Sequence, residues 1–188
     1  MNNARHSLLA LLCSVTLIAS GCGNATDDSI EDAAAAGNET EGTITSKQGL
    51  TGIFTIRPRH SLKCLAISQG RLTNGTPLIQ WDCANVFEQQ FQFDDLGYGF
   101  HAIRAVHSNK CLAIGAASTA NGANVIQWDC VGSIEQQFSV QKTAEGYYQI
   151  VARHSSKCLG VSGSSRSNGA EVIQWACSGG ADQQFLMQ

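Results

Sequence analysis

Short apolar stretches separated by Gly, Asn, Ser and Asp run along residues 49–188. In the first part of this region they cover residues 52–56, 64–68, 77–83 and 90–93. Stretches of this length between turn-forming residues are typical of short β-strands. No segment of the region shows a capped helical pattern of ten residues. The pattern therefore predicts an all-β domain.

The apolar pattern repeats three times at a period of 47 residues without a gap. The repeated positions include His60, His107 and His154; Cys64, Cys111 and Cys158; Trp81, Trp128 and Trp175; and Phe91, Phe138 and Phe185. Tandem units of this size indicate a repeat architecture. Four strands in each of three units predict a closed twelve-stranded body with pseudo-threefold symmetry, in which closure removes exposed sheet edges.

Six of the eight cysteines lie in the repeats, and only three of their fifteen possible pairings respect the repetition. The local pairing is the simplest: Cys64–Cys83, Cys111–Cys130 and Cys158–Cys177. A hairpin centred near Asn74 would place Cys64 opposite Cys83, and Ala66 opposite Trp81 on the same face. Zinc binding is the competing interpretation of the cysteines, but no Cys-x-x-Cys spacing is present and we expect no metal.

The N-terminus has the features of an export signal. Arg5 precedes an apolar run over residues 8–18, which is too short to span a membrane, and small residues follow. The junction at Cys22 resembles a bacterial lipobox, although Ala19 stands where Leu is usual. We expect a signal peptide over residues 1–21 and lipidation of Cys22, with simple cleavage and secretion as the alternative. The protein is then a bacterial cell-envelope lipoprotein, at the outer surface or in the periplasm.

Residues 22–48 predict a disordered acidic tether, because six acidic residues face a single lysine and large apolar residues are almost absent. Residues 49–188 carry ten basic and nine acidic residues. That near-neutral balance offers no basic surface for nucleic acid, so nucleic acid is not an expected partner. Membrane contact is expected only through the lipid anchor.

The repeated Cys-Leu hairpins and the motifs Gln89-Gln90-Phe91, Gln136-Gln137-Phe138 and Gln183-Gln184-Phe185 resemble the ricin-type lectin domain. The resemblance covers residues 50–188 and implies a β-trefoil domain over residues 49–188, with Phe filling the core position that the family usually gives to Trp. It also implies carbohydrate binding without a cofactor. We expect a monomer whose partner is a polysaccharide or another glycan.

The resemblance further implies where carbohydrate would bind. The family's aromatic platform corresponds to Trp81, Trp128 and Trp175, and its polar residue before the terminal motif corresponds to Glu88, Glu135 and Asp182. The family's Asp, two residues after the first Cys, is replaced by Ala66, Ala113 and Gly160. These nine residues are the predicted carbohydrate-binding positions. Hairpin packing remains the alternative for the tryptophans, and a solvated turn remains the alternative for the acids.

Other invariant residues have structural explanations. Period-two alternation groups Gln80, Gln127 and Gln174 with the buried positions, so these glutamines are predicted to bond backbone groups. The pairs Asn74-Gly75, Asn121-Gly122 and Asn168-Gly169 are predicted to supply positive φ in the hairpin loops. A His-Ser pair after each first strand fits a turn. Catalytic motifs are absent from the sequence, so we expect no enzyme. The alternative to a lectin is a trefoil that binds or inhibits proteins and has lost sugar binding.

Overall fold

The computed structural model describes residues 50–188. The predicted signal peptide, the lipidated Cys22 and the acidic tether lie outside the described residues. In the part that is described, no helix has the length and apolarity that a membrane crossing requires.

Thirteen strands form the described domain, and the predicted all-β class is confirmed. They are β1 Gly52–Phe54, β2 Ile56–Pro58, β3 Cys64–Ile67, β4 Leu78–Trp81, β5 Phe91–Asp95, β6 Phe100–Ala105, β7 Cys111–Ile114, β8 Val125–Trp128, β9 Phe138–Lys142, β10 Tyr148–Ala152, β11 Cys158–Val161, β12 Val172–Trp175 and β13 Phe185–Met187. The predicted number was twelve. The additional strand arises because the first one is interrupted at Thr55, where its partner changes from β5 to β13.

The topology follows the repeats. Each repeat contains a hairpin of its second and third strands, namely β3–β4, β7–β8 and β11–β12. Consecutive repeats are joined by the hairpins β5–β6 and β9–β10, and β13 pairs with both β10 and β2. The last strand therefore returns to the first repeat, so the predicted closure of the domain is confirmed.

The core contains the phenylalanines of the terminal motifs. Phe91, Phe138 and Phe185 have no exposed surface, and they pack with aliphatic residues such as Leu65 and Leu112. Full burial of side chains of this size supplies much of the free energy that stabilises a domain. The prediction that Phe fills this core position is confirmed.

The three predicted disulfides are present, with Cα–Cα distances of 5.0, 5.1 and 5.0 Å. The register predicted from them is wrong by two residues. Cys64 lies opposite Trp81, and Ala66 lies opposite Ile79 rather than opposite the indole. Strand β4 ends at Trp81, so Cys83 reaches Cys64 from the loop that follows the strand.

The first glutamine of each terminal motif orders that loop. Gln89 accepts a hydrogen bond from the Ala84 amide at 2.8 Å and donates one to the Asp82 carbonyl at 2.9 Å. Gln136 and Gln183 make the equivalent bonds in the other repeats. A buried amide that pairs two backbone groups fixes the path of a loop that lacks ladder bonds. This is why the disulfide can close without strand pairing at Cys83.

The invariant glutamines in the third strand of each repeat form hydrogen bonds to the neighbouring repeat. Gln80 is fully buried, donates to the carbonyls of Ser165 and Ser167, and accepts from Ser61. Gln127 and Gln174 make the equivalent bonds to the first and second repeats. The prediction of a structural role for these glutamines is confirmed.

The repeated histidines take part in the same interfaces. The Nε2 atoms of His60, His107 and His154 lie 2.7, 3.2 and 2.9 Å from carbonyl oxygens of Ser165, Arg71 and Ser118. Each ring therefore contacts a different repeat boundary. Within residues 50–188, no three His, Cys, Asp or Glu side chains are grouped as metal ligands would be.

Candidate functional site

The three tryptophans lie at the domain surface. Trp81, Trp128 and Trp175 are the last residues of β4, β8 and β12, with exposed fractions of 48%, 44% and 48%. Their neighbours in the strands are buried, so the alternation of the strands turns the indoles outward. This exposure favours the platform interpretation of the tryptophans over core packing.

Each tryptophan lines a surface cavity together with the other residues predicted for its repeat. The first cavity, about 400 Å³, contains Trp81, Ala66 and Glu88. The second, about 240 Å³, is lined by Trp128, Ala113 and Glu135, and the third, about 600 Å³, by Trp175, Gly160 and Asp182. Although the predicted register was wrong, the nine predicted residues come together in three sets of three.

The small residues are buried in their strands, beside the platforms. Ala66 and Ala113 are 4% and 5% exposed. Since Ala66 pairs with Ile79, it lies two positions from Trp81 along the hairpin. The cavity therefore has a tryptophan on one side and a short side chain at its base. The aromatic face can stack on a ligand, and the carboxylate beside it can accept hydrogen bonds, so the cavity has groups suited to binding a small ligand.

Two short 3-10 turns add side chains to the edges of each cavity. In the first repeat they are Ser68–Gly70 and Phe87–Gln89, and the second turn carries Glu88. The central residue of the first turn, Gln69, has a φ of +56°. The equivalent central residues are Ala116 and Gly163. A left-handed residue of varying type leaves no sequence signal, so these turns were not predicted from the sequence.

The preceding repeat in the closed ring also contributes to each platform. A Cβ built on Gly169 of the third repeat would lie 3.7 Å from Cζ3 of Trp81, and Gly75 and Gly122 approach Trp128 and Trp175 similarly. These glycines have φ values of +83°, +86° and +82° for Gly75, Gly122 and Gly169, as predicted for the Asn-Gly loops. The loops thus have a second role, which is to cover part of each indole.

The third cavity differs from the other two at its base. A Cβ on Gly160 would lie 2.9 Å from Cγ of Gln183 and 3.4 Å from Oδ2 of Asp182. A larger residue at Gly160 would therefore require Gln183 to move. At the equivalent positions, Ala66 and Ala113 already carry a Cβ.

The acids at the three cavities have different surroundings. Glu135 accepts a hydrogen bond from the Ser133 hydroxyl at 2.6 Å, and this bond lowers the pKa of its carboxyl. Glu88 and Asp182 are also partly buried on their turns. A carboxylate that is charged at neutral pH accepts hydrogen bonds and does not donate them.

Ion pairs lie beside two of the platforms. Lys63 pairs with Asp82, next to Trp81, and Lys110 pairs with Asp129, next to Trp128. Asn168 and Asn74, from the preceding repeats, also donate to these aspartates at 2.7 and 2.8 Å. The lysine and asparagine hydrogen bonds lower the pKa of both carboxyls. In the third repeat Ala176 replaces the aspartate.

We expect the two aspartates to make stability depend on acid pH. Because their pKa is lower in the folded state than the ordinary value of 3.8, their stabilisation is present above about pH 3.8 and lost as the pH falls through the lowered pKa. The variant Asp82→Asn/Asp129→Asn should therefore lose less of its unfolding free energy below pH 3.8 than the parent. Denaturant unfolding between pH 2.5 and 6 measures this, and parallel profiles would contradict it.

Comparison with protein-family models identifies a family that spans the described domain. The model for the ricin-type beta-trefoil lectin domain matches residues 52–185. The match includes all three cavities and all three disulfides. No curated protein sequence matches the chain.

Similar solved structures share the threefold architecture. A designed 3-fold symmetric protein, ThreeFoil, is 40% identical, with a TM-score of 0.71 over 72% of this chain and 96% of its own. An exo-beta-1,3-galactanase from Clostridium thermocellum is 27% identical, with a TM-score of 0.70 over 74% of this chain. This chain spans 30% of that enzyme's chain. A ricin B-like lectin from Macrolepiota procera, solved with lactose, is 16% identical, with a TM-score of 0.63 over 73% of this chain and 95% of its own.

Proposed function

Because the chain belongs to the ricin-type β-trefoil lectin family, we propose that it binds polysaccharide weakly at each of three sites and gains affinity by using them together. The family membership supports carbohydrate binding in general. Three disulfides agree with export to an oxidising compartment. The binding sites proposed are the three cavities built on Trp81, Trp128 and Trp175.

One observation carries this proposal: a half-exposed tryptophan stands beside a carboxylate in a cavity three times over. A pyranose presents an apolar C–H face that packs on an indole, while its hydroxyl groups donate hydrogen bonds to a carboxylate. Each site thus has the two kinds of contact that sugars need. The repetition itself favours a ligand that also repeats, which a polysaccharide does.

The replacement of the family's Asp explains why each site should be weak. Ala66, Ala113 and Gly160 have no side-chain oxygen, so the directional hydrogen bond from one sugar hydroxyl to that position is lost and stacking dominates the binding. Stacking depends less on the orientation of a single hydroxyl than a directional hydrogen bond does, so it discriminates less between epimers. Three sites on one domain compensate through effective concentration. We therefore propose a tethered, multivalent polysaccharide-binding module of the cell envelope, anchored through Cys22.

The test of the function is a glycan array that contains polysaccharides and their component monosaccharides, probed with the mature protein. We expect retention on at least one polysaccharide and little retention on any monosaccharide. Retention on neither would contradict carbohydrate binding. The protein-interaction alternative predicts that outcome.

A substitution at the base of the first cavity should sharpen its specificity. Ala66→Asp introduces a charged acceptor beside Trp81, and a hydrogen bond to a charged group contributes about 1.5–3 kcal/mol, or at least roughly tenfold in affinity. We expect the variant to prefer one epimer of a monosaccharide by about tenfold, measured by titration. Gly160→Asp is the matched control, because Gln183 blocks its Cβ and it should gain no preference. Equal behaviour of the two variants would contradict the geometry.

A further inference from the structure

The three proposed sites differ in one residue that the preceding repeat of the ring contributes beside each hairpin. Isolated backbone pairs join Glu171 to Ile79, Pro77 to Ile126 and Asn124 to Ile173. These three residues occupy the same position in their repeats, yet one is acidic, one is apolar and one is an amide. The three cavities therefore have different chemistry at this position of the repeat. Glu171 is exposed and lines the cavity of Trp81.

The Trp81 cavity therefore has two carboxylates, whereas each of the others has one. Its lining residues include Glu88 and Glu171 and no Lys, Arg or His. The second and third cavities are lined by a single acid each, Glu135 and Asp182. The net charge of the lining is thus more negative at the first site than at its two counterparts.

Neither carboxylate of the first site is neutralised by an ion pair in the described part of the chain. The ion pairs there join Lys63 to Asp82, Arg104 to Asp94 and Lys110 to Asp129. Arg71 follows the turn at the edge of the cavity, but its guanidinium donates to the amide oxygen of Gln69. Glu171 accepts one hydrogen bond, from Asn124 at 3.2 Å. Both charges are therefore available to a ligand.

We infer that the Trp81 site prefers an amino sugar with a free, protonated amine, as found along a deacetylated glucosamine polymer. This inference rests on the proposed function and adds a ligand class to one of its sites. An ammonium group is attracted by the two carboxylates, and the indole face attracts cations as well. The same charges repel polysaccharides built from acidic sugars.

The preference should be moderate because the site is open to solvent. A pair of unit charges about 6 Å apart in water interacts weakly, and each carboxylate contributes roughly a twofold to threefold change in affinity. Two carboxylates together should favour the free amine about fivefold. Since the charges are exposed, 0.5 M salt should remove most of the preference.

The double variant Trp128→Ala/Trp175→Ala isolates this site. The sequence has three tryptophans, so Trp81 is the one that remains. Its fluorescence reports binding at the first site alone. We would titrate it with a soluble glucosamine oligomer and with the N-acetylated oligomer of the same length. We expect the free amine to bind about fivefold more tightly, and Glu171→Gln in this background to reduce the ratio about twofold to threefold.

The control is Glu145→Gln, which removes an equal charge from an exposed turn that lines none of the three cavities. It should leave the ratio unchanged. Should the double variant fold poorly, Glu171→Gln is compared with the parent protein, in which the change in the ratio is averaged over the three sites and is correspondingly smaller. A preference that survives both Glu171→Gln and Glu88→Gln would overturn the inference.

Two further outcomes separate this inference from the proposed function. Equal binding of the two oligomers by the double variant overturns the amine preference and leaves polysaccharide binding intact. If neither oligomer binds the double variant while the parent binds polysaccharide, Trp81 does not form a site and the inference also fails. If the parent binds no polysaccharide at all, both are wrong.

Discussion

Replacing two of the three tryptophans should weaken binding to a long polysaccharide by up to about a hundredfold, while binding of a short oligosaccharide to the remaining site changes little. Linked sites raise overall affinity by about 10² or more when the ligand can engage them together. The variant Trp128→Ala/Trp175→Ala leaves one site, so this gain disappears. The measured quantity is the ratio of polymer affinity to oligosaccharide affinity, obtained by titration with each.

The three single variants are the controls for that result. Each should retain two sites and lose only part of the polymer affinity, and independent sites lose it stepwise. Each should also remain folded. A fully buried Trp replaced by Ala costs about 3–5 kcal/mol, whereas these indoles are roughly half exposed and should cost less. Parent-like polymer binding by all three folded variants would exclude the tryptophans as platforms.

Much of the fold could be predicted because the sequence repeats. A 47-residue period restricts the pairing of six cysteines, and repetition of the Gln-Gln-Phe motif identifies a core position in each unit. Both predictions depend on local chemistry that is the same three times. The glutamines of the third strands could be assigned for the same reason, since an invariant polar residue in a buried alternation needs backbone partners.

The hairpin register could not be derived from the disulfides. A disulfide constrains the distance between two Cα atoms and does not require that the residues pair in a ladder. Cys83 lies beyond the end of its strand, in a loop whose path is fixed by Gln89. The assumption of ladder pairing therefore placed Trp81 opposite Ala66, a position that Ile79 occupies in the structure.

Contacts between residues that are distant in the chain also could not be predicted from the sequence. Thr55 exchanges backbone hydrogen bonds with Gln188, and this contact with the last residue of the chain accompanies the interruption of the first strand. Gly169 reaches Trp81 only because the third repeat packs against the first. A period along the chain predicts a closed ring, yet it does not say which residue of one unit faces which residue of the next. The differences among the three sites arise from such contacts.

The interfaces between repeats should contribute strongly to stability, and Gln127→Ala is expected to lower the unfolding free energy by about 3–5 kcal/mol. Gln127 is fully buried, donates to the carbonyls of Arg71 and Thr73 at 2.6 and 3.0 Å, and accepts from Ser108 at 2.7 Å. Truncation removes three hydrogen bonds, each worth about 0.5–1.5 kcal/mol. The Arg71 carbonyl keeps His107 at 3.2 Å and the Thr73 carbonyl keeps the Thr76 hydroxyl at 2.8 Å, so neither is left unpaired. The lost side-chain volume adds a cavity term.

Two control variants distinguish these buried hydrogen bonds of Gln127 from an ordinary polar contact. Gln141→Ala removes an exposed glutamine from β9 and should change the unfolding free energy by less than about 0.5 kcal/mol. Ser108→Ala removes one of the three bonds and should cost about 1 kcal/mol. Equilibrium unfolding in denaturant measures all three. Because the loop that Gln127 holds also carries Gly75 against Trp128, the Gln127→Ala variant should lose affinity at that site too. A cost below about 1 kcal/mol for Gln127→Ala would mean that the glutamine side chains add little to the stability of the interfaces between repeats.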